Sequence, residues 1–317
     1  MIKRDTEGSH TLADKLFGDL NIFDLQGLLL TNKYEFSAAL EAIYLTSNEN
    51  LKEVEDFFTQ DALRAKYKLA TKLNIPLYII VHQENNQYFT IFTMVENENT
   101  KIVIGKAENK TFKEFIDWWS QLKGTPQTKG FRHDAQNRTK NSIIDNLLKQ
   151  NSLAWGGNVD GIIISKDVNS NIIGIVEKRI REAALAHYDP ADFFYSSSDP
   201  MRNDHYTWKP LVKLALALDC PLYLLTFEKG NNTSYAYSDV KTIINGLQYW
   251  SGSPKHNITT EIEDFNQFLN QEKRLPIEKG YCLKCTKEVT DTVRDYCLNN
   301  RKRFKGKVYC FNHQKQI

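Results

Sequence analysis

Four residues near the C-terminus have the types and spacing of a metal site. Residues 281–285 read YCLKC and residues 309–313 read YCFNH. Cys282 and Cys285 thus form a Cys-x2-Cys knuckle, and Cys310 and His313 a Cys-x2-His knuckle, separated by 24 residues. Thiolates and imidazole are the donors that tetrahedral Zn²⁺ takes. Cys297, in RDYCLNN, is a rival for the fourth position; His313 is preferred because it completes the second knuckle, whereas Cys297 sits in the helix-like run TDTVRDYCLNN. A zinc ion here would be structural, folding a segment too small to build its own core. Between the knuckles, RKRFKGK places Arg301, Lys302, Arg303, Lys305 and Lys307 around Phe304. Such a cluster suits phosphate contacts that are salt-dependent and indifferent to sequence; the alternative is a solvated basic face.

A second set of residues suits a harder cation. The apolar run NIIGIVEKRI (171–180) carries Glu177, Lys178 and Arg179, and GNVDGIIIS (157–165) places Asp160 seventeen residues before Glu177. Neighbouring strands can bring two such carboxylates together. Mg²⁺ or Mn²⁺ held by them would lower the pKa of a bound water and neutralise charge on a phosphoryl transition state. Strand alternation puts Glu177 and Arg179 on one face and Lys178 on the other. Arg holds a phosphate but does not readily give up a proton. Three readings stay open: Arg179 clamps the phosphate, a bulge swings Lys178 into place, or the site is inactive. Asp145, on the preceding helix-like segment, is either a further ligand or a solvated surface carboxylate. The stretch from HYDPADFFY to DPMRNDHYTW adds His187, Asp189, Asp204 and His205, as nucleic-acid contacts or as an ordinary loop packed on the core.

The elements that must position these residues recur along the chain. KLATKLNIPLYII (68–80) and KLALALDCPLYLL (213–225) share seven of thirteen positions without gaps. Each reads as a helix stopped by Pro, followed by an apolar strand. Upstream, NIFDLQGLLL (21–30) matches GNVDGIIIS, and KYEFSAAL (33–40) matches IVEKRI, which pairs Asp24 with Asp160 and Glu35 with Glu177. Downstream, FKEFIDWW (112–119) and EIEDFNQFL (261–269) read as amphipathic helices. The order favours tandem duplication. The polar stretch KGTPQTKGFRHDAQNRTK reads as a linker, giving domains 1–128 and 129–275 and a C-terminal module, 276–317. In the first copy the position two after Glu35 is Ser37, so no cation stands there and that copy is expected to be silent.

Composition narrows the class. With 41 basic and 39 acidic residues, the formal charge of +2 says nothing about partners. The longest apolar stretches fall well short of the roughly 20 residues of a membrane span, and MIKRDTEGSH lacks the apolar core of a signal peptide. Four of the five cysteines fall from residue 282 onward, which fits a metal site in a reducing cytoplasm better than a disulfide scaffold.

The Asp160 strand followed by the Glu177–Lys178–Arg179 strand resembles the PD-(D/E)xK nuclease superfamily, in which an Asp opens one strand and Glu-x-Lys sits on its neighbour. The chain departs from that pattern at the Lys, which is Arg179. The resemblance implies two tandem restriction-endonuclease-like α/β domains, each a mixed sheet flanked by helices, with the C-terminal knuckles similar to zinc ribbons appended to DNA-processing proteins. It implies a metal-dependent DNA endonuclease, with Asp160 and Glu177 holding Mg²⁺ or Mn²⁺ and Lys178 or Arg179 serving the phosphate or water. Double-stranded DNA is the expected partner, with a homodimer where both strands are cut. The rival is a non-catalytic nucleic-acid-binding protein built on decayed nuclease domains; an RNA-directed nuclease is a third reading.

Overall fold

The computed structural model describes residues 2–4, 22–31, 35–45, 54, 56–83, 87–123, 143–165, 171–181, 205–229, 231–240, 257–259, 282, 285, 289–304 and 308–317. They form an α/β protein with two compact units, Met1–Ile172 and Ile173–Ile317. The predicted linker and the boundary at residue 128 lie in 124–142, outside the described residues, as does EIEDFNQFL (261–269). The segment 143–164, assigned from sequence to the second domain, belongs to the first unit, because its strand pairs with an N-terminal one.

The first unit holds β1 (Ile2–Arg4), β2 (Ile22–Leu30), β3 (Phe36–Leu45), α1 (Gln60–Lys72), β4 (Leu77–Gln83), β5 (Tyr88–Glu96), β6 (Ile102–Thr111), α2 (Phe112–Leu122), α3 (Ile143–Gln150) and β7 (Gly157–Ile164). Its sheet is mixed, in the order β7-β2-β3-β4-β5-β6, with β1 pairing the end of β3. Among the described residues of this unit, β3 and β4 pair parallel and the other pairs are antiparallel. A parallel pair needs a crossover, and α1 supplies it. Thr59 caps that helix by accepting from the Ala62 N–H, and Asp61 lies in its first turn, where the helix dipole favours an acid. The helix stops at Leu73, Asn74 turns left-handed at φ 54°, and Pro76 bars further helix.

An aromatic cluster runs through the otherwise aliphatic core beside this sheet. A Thr111–Glu114 capping box starts α2, whose Phe115 stacks on Phe89 at 4.1 Å between ring centroids. Trp119 stacks on Trp155 at 5.1 Å and donates its indole N–H to the Ala154 carbonyl. Trp155, just ahead of β7, donates in turn to the Gln26 carbonyl at 3.0 Å. The β2–β7 register shifts around that point, between Leu25 and Leu28. Two glycines allow the fit: a Cβ on Gly27 would lie 2.8 Å from the Trp155 indole nitrogen, and one on Gly156 would lie 2.8 Å from the Leu28 backbone.

The second unit holds β8 (Ile172–Arg181), α4 (His205–Leu218), β9 (Leu222–Glu228), β10 (Asn231–Val240), β11 (Asn257–Thr259) and three short helices, α5 (Asp291–Asn299), α6 (Arg301–Phe304) and α7 (Phe311–Gln314). β8 and β9 are parallel, and β10 and β11 continue the sheet antiparallel. The buried residues Leu211, Leu214, Ala215 and Leu218 line one face of α4. Among the described residues no helix is long and apolar enough to cross a membrane.

The repeated phrase takes one local structure in both places. Ile75 N–H donates to the Ala70 carbonyl and Cys220 N–H to the Ala215 carbonyl, each at 3.0 Å. Asp219, like Asn74, is left-handed, at φ 51°. Ala39 N–H donates to Pro76 O and Ile175 N–H to Pro221 O, each at 2.9 Å. Parallel pairing then starts at Ala39↔Leu77 in one copy and Ile175↔Leu222 in the other.

Candidate carboxylate sites and metal centre

Asp160 stands on β7 and is 6% exposed; its Oδ1 accepts from the Asn158 side chain, two residues back on the same strand face. Asp145, on α3, is buried and paired at 2.6 Å with Lys149 one turn on. The reading of Asp145 as a solvated surface carboxylate is therefore overturned: α3 turns it inward beside Ile144, Leu147 and Leu148.

Glu177 stands on β8 and is 1% exposed. Arg179 Nε lies 3.0 Å from Glu177 Oε1, so these two side chains share a face, as strand alternation requires. The β8–β9 register runs unbroken from Ile175↔Leu222 to Arg181↔Glu228, so no bulge on the β9 side brings Lys178 round. Carboxylate oxygens on Asp160 and Glu177 are the hard donors that Mg²⁺ prefers. Asp160 belongs to the first unit and Glu177 to the second. His187, Asp189 and Asp204 lie outside the described residues, as does the side chain of His205 at the start of α4.

The register corrects the sequence alignment of the two copies. In the parallel pairing, Glu41 stands opposite Ile79, two residues past Ala39↔Leu77, and Glu177 stands opposite Leu224, two residues past Ile175↔Leu222. Glu41, not Glu35, is therefore the counterpart of Glu177. Glu35 is exposed and closes the β2–β3 turn: its N–H donates to the Thr31 hydroxyl, as Asn171 N–H does to the Ser165 hydroxyl. Counting back from Thr31 and Ser165, QGLLLT (26–31) matches DGIIIS (160–165), so Gln26, not Asp24, is the counterpart of Asp160. The repeated Gly and its three aliphatics were the available signal.

Around Glu41 the chemistry is closed. Lys66, from the buried face of α1, places Nζ 2.5 Å from Glu41 Oε1, with both side chains at 2% exposure or less. The ammonium also sits 4.8 Å over the Phe58 ring. Gln26 N–H donates to the same Glu41 oxygen at 3.3 Å, and the Gln26 side-chain oxygen accepts from Ala42 N–H at 2.5 Å. A carboxylate this deep is tolerated only when paired and hydrogen-bonded. Lys66 was not among the residues singled out from sequence.

The C-terminal knuckles meet. The ligand atoms of Cys282, Cys285, Cys310 and His313 lie within 4.8 Å of one another, and no other such group of three or more occurs among the described residues. Zn–S bonds of about 2.3 Å at the tetrahedral angle put two sulfurs about 3.8 Å apart. Cys285 Sγ and Cys310 Sγ are 3.8 Å apart, and His313 Nδ1 is 3.2 Å from both Cys282 Sγ and Cys310 Sγ. Cys310 is the N-cap of α7 and His313 lies three residues on, so one helical turn brings the pair to one face. The cluster is compatible with structural zinc. Cys297 has a different role: its buried sulfur accepts from Tyr309 N–H at 3.4 Å and from the Gln314 side chain at 3.2 Å. Burial pushes its thiol above the usual range despite those two donors, as befits a neutral core group.

The described residues of this module include the helices α5, α6 and α7; most of the two knuckles' flanking segments, 276–281 and 305–307, lie outside the described residues. Thr290 caps α5 through the Val293 N–H, and Phe304, Cys297, Val308 and Tyr309 pack beside Cys282. Of the basic stretch, Lys302 and Arg303 are exposed; Lys305, Lys307 and the side chain of Arg301 lie outside the described residues. Arg303 also ties the module together, donating to the Gln314 carbonyl at 2.7 Å.

No protein-family model matches the chain, and no curated protein matches it. A solved structure, the crystal structure of the sex pheromone staph-cAM373 precursor, aligns over 82% of this chain and 84% of its own at 11% identity, with a TM-score of 0.15. A likeness that faint carries no argument.

Proposed function

We propose that the chain is a metal-dependent endonuclease acting on double-stranded DNA in a reducing cytoplasm, built on tandem nuclease-like domains. In this reading Asp160 and Glu177 hold Mg²⁺ or Mn²⁺, and the metal would activate a water for phosphodiester hydrolysis. Arg179 holds the scissile phosphate rather than abstracting a proton, since a guanidinium stays charged. Lys178 then has no direct part in the chemistry. The zinc module, with Arg301, Lys302, Arg303, Lys305 and Lys307, grips the duplex through its phosphates. One competent acid pair per chain would nick; cutting both strands would take a homodimer.

The observation that carries this reading is Glu177: an acid 1% exposed, on a buried strand, with a guanidinium 3.0 Å away. Burying a carboxylate is costly unless it is paired, so an acid held at this depth with its cation marks a candidate working site. The second reading, a nucleic-acid-binding scaffold, draws on the same pair, because Arg179 neutralises Glu177 much as Lys66 neutralises Glu41.

Cleavage of supercoiled plasmid in Mg²⁺ or Mn²⁺, wild type beside Glu177→Ala, separates the two. Metal-dependent cutting that falls at least about 100-fold in the variant, a loss of roughly 2.7 kcal/mol of transition-state stabilisation, supports the nuclease. Salt-sensitive binding without cutting supports the scaffold.

A further inference from the structure

We infer that the C-terminal module takes unpaired nucleic-acid bases, stacking them on Phe311 and Tyr296. This rests on the proposed reading for the module's hold on phosphates, and it adds the bases of a single strand to what the module binds.

The aromatic residues of the module fall into two groups. Phe304 and Tyr309 are 1% and 8% exposed and pack beside Cys282. Phe311 is 63% exposed and Tyr296 47%. Single exposed apolar side chains are ordinary, but these two are mounted and accompanied. Phe311 lies between Cys310 and His313, two members of the Cys3His cluster, so the knuckle holds its backbone on both sides. The Tyr296 ring meets the Phe304 ring edge-on at 5.9 Å. The Arg303 guanidinium lies 5.0 Å over Phe304 and donates to the Gln314 carbonyl. The next residue, Lys315, holds its ammonium 4.5 Å over the Phe311 ring. Contacts thus run from one exposed ring to the other through two cations.

Charge agrees with a phosphate-bearing ligand. Residues 289–317 carry seven lysines and arginines against two aspartates. Both aspartates are engaged by Arg294, Asp291 at 2.8 Å and Asp295 at 3.0 Å. Exposed rings interspersed with cations suit a single strand, which offers a base face and a phosphate at every nucleotide. A duplex keeps its base faces in the stack and can use only the cations. An apolar protein surface would cover the rings but leave the cations against it without partners.

Fluorescence anisotropy of the full-length, zinc-loaded protein tests this, without Mg²⁺ or Mn²⁺ so that no strand is cut. The probes are an oligothymidylate and an oligouridylate of about 16 nucleotides and an abasic strand of the same length. At one salt concentration, wild type should bind a base-bearing strand at least about 5-fold tighter than the abasic one; the tighter of the two base-bearing strands names the polymer. Phe311→Ala should remove most of that preference while keeping its zinc, Tyr296→Ala should remove part of it, and Phe311→Trp should retain it. Equal affinity of wild type for base-bearing and abasic strands overturns the inference. So does a preference that survives Phe311→Ala combined with Tyr296→Ala. Should Phe311→Ala lose its zinc, Tyr296→Ala and the wild-type comparison still decide. Failure of the nuclease reading is distinct: it shows as plasmid left uncut in Mg²⁺ or Mn²⁺, whatever the single strands do.

Discussion

The two copies of the strand–helix–strand phrase bury a glutamate at the same register position and neutralise it differently. In the first, the cation is Lys66, delivered from a helix 25 residues along the chain and 2% exposed at its side chain. In the second it is Arg179, two residues along the same strand and 17% exposed. A lysine brought by the crossover helix locks two elements together and excludes water. An arginine on the glutamate's own strand reaches it without a crossover and is less deeply buried, at 17% exposure. On the proposed reading the first arrangement is structural and the second serves a phosphate. The C-terminal Cys3His cluster is compatible with a third solution, structural zinc, in which the cation is not part of the chain at all.

That contrast makes removal of the external cation the largest effect to expect. A strong chelator should strip zinc and melt the helices around Cys297 and Phe304, because binding energies of roughly 10 kcal/mol or more are folding energy for such modules. Limited proteolysis should then cut within 282–317, while β3 and α1, held by a covalent lysine, stay protected. Proteolysis that spreads equally into 36–72 would break the comparison.

Next comes Lys66→Met, which leaves Glu41 buried without its cation and should cost about 3–5 kcal/mol in urea unfolding. Adding Glu41→Gln should return part of that loss. Arg179→Met should cost less, about 1–3 kcal/mol, because water can reach the vacated position. Equal losses from the two variants would mean that Arg179 is as structural as Lys66.

A smaller, symmetric effect belongs to the left-handed residues after the two helices. Asn74→Ala and Asp219→Ala should each cost about 1 kcal/mol, since a Cβ without a polar partner disfavours that conformation; Gly at either place should be near neutral. Unequal costs would show that the two turns are less alike than their hydrogen bonds.

The smallest effect lies on β6. Lys106 and, after it, Lys110 hold the Glu108 carboxyl down at about 2. A depressed carboxyl stabilises the fold above its unfolded value near 4.5 and loses that contribution as pH falls toward 2. The side chain is 38% exposed, so screening keeps the effect small. Glu108→Gln should flatten only the acid limb of the stability profile between those values.

The sequence by itself determined the parts that depend on local spacing. Knuckles of two intervening residues need only one turn of chain to converge, so Cys282, Cys285, Cys310 and His313 were legible before any fold. The Pro76 and Pro221 stops, the apolar strands after them and the alternation that puts Arg179 beside Glu177 are equally local. What tertiary structure decided were the relations across elements. Asp24 and Glu35 lie nearest a simple match, yet hairpin closure at Thr31 and Glu35 shifts the register so that Gln26 and Glu41 take the inner positions. Lys66 reads as an ordinary helix lysine until α1 crosses over and turns it onto β3, and Asp145 reads as a surface acid until α3 packs it inward. A charge is buried or exposed according to which face its element presents to the sheet, and that is settled by pairing between segments far apart in the chain.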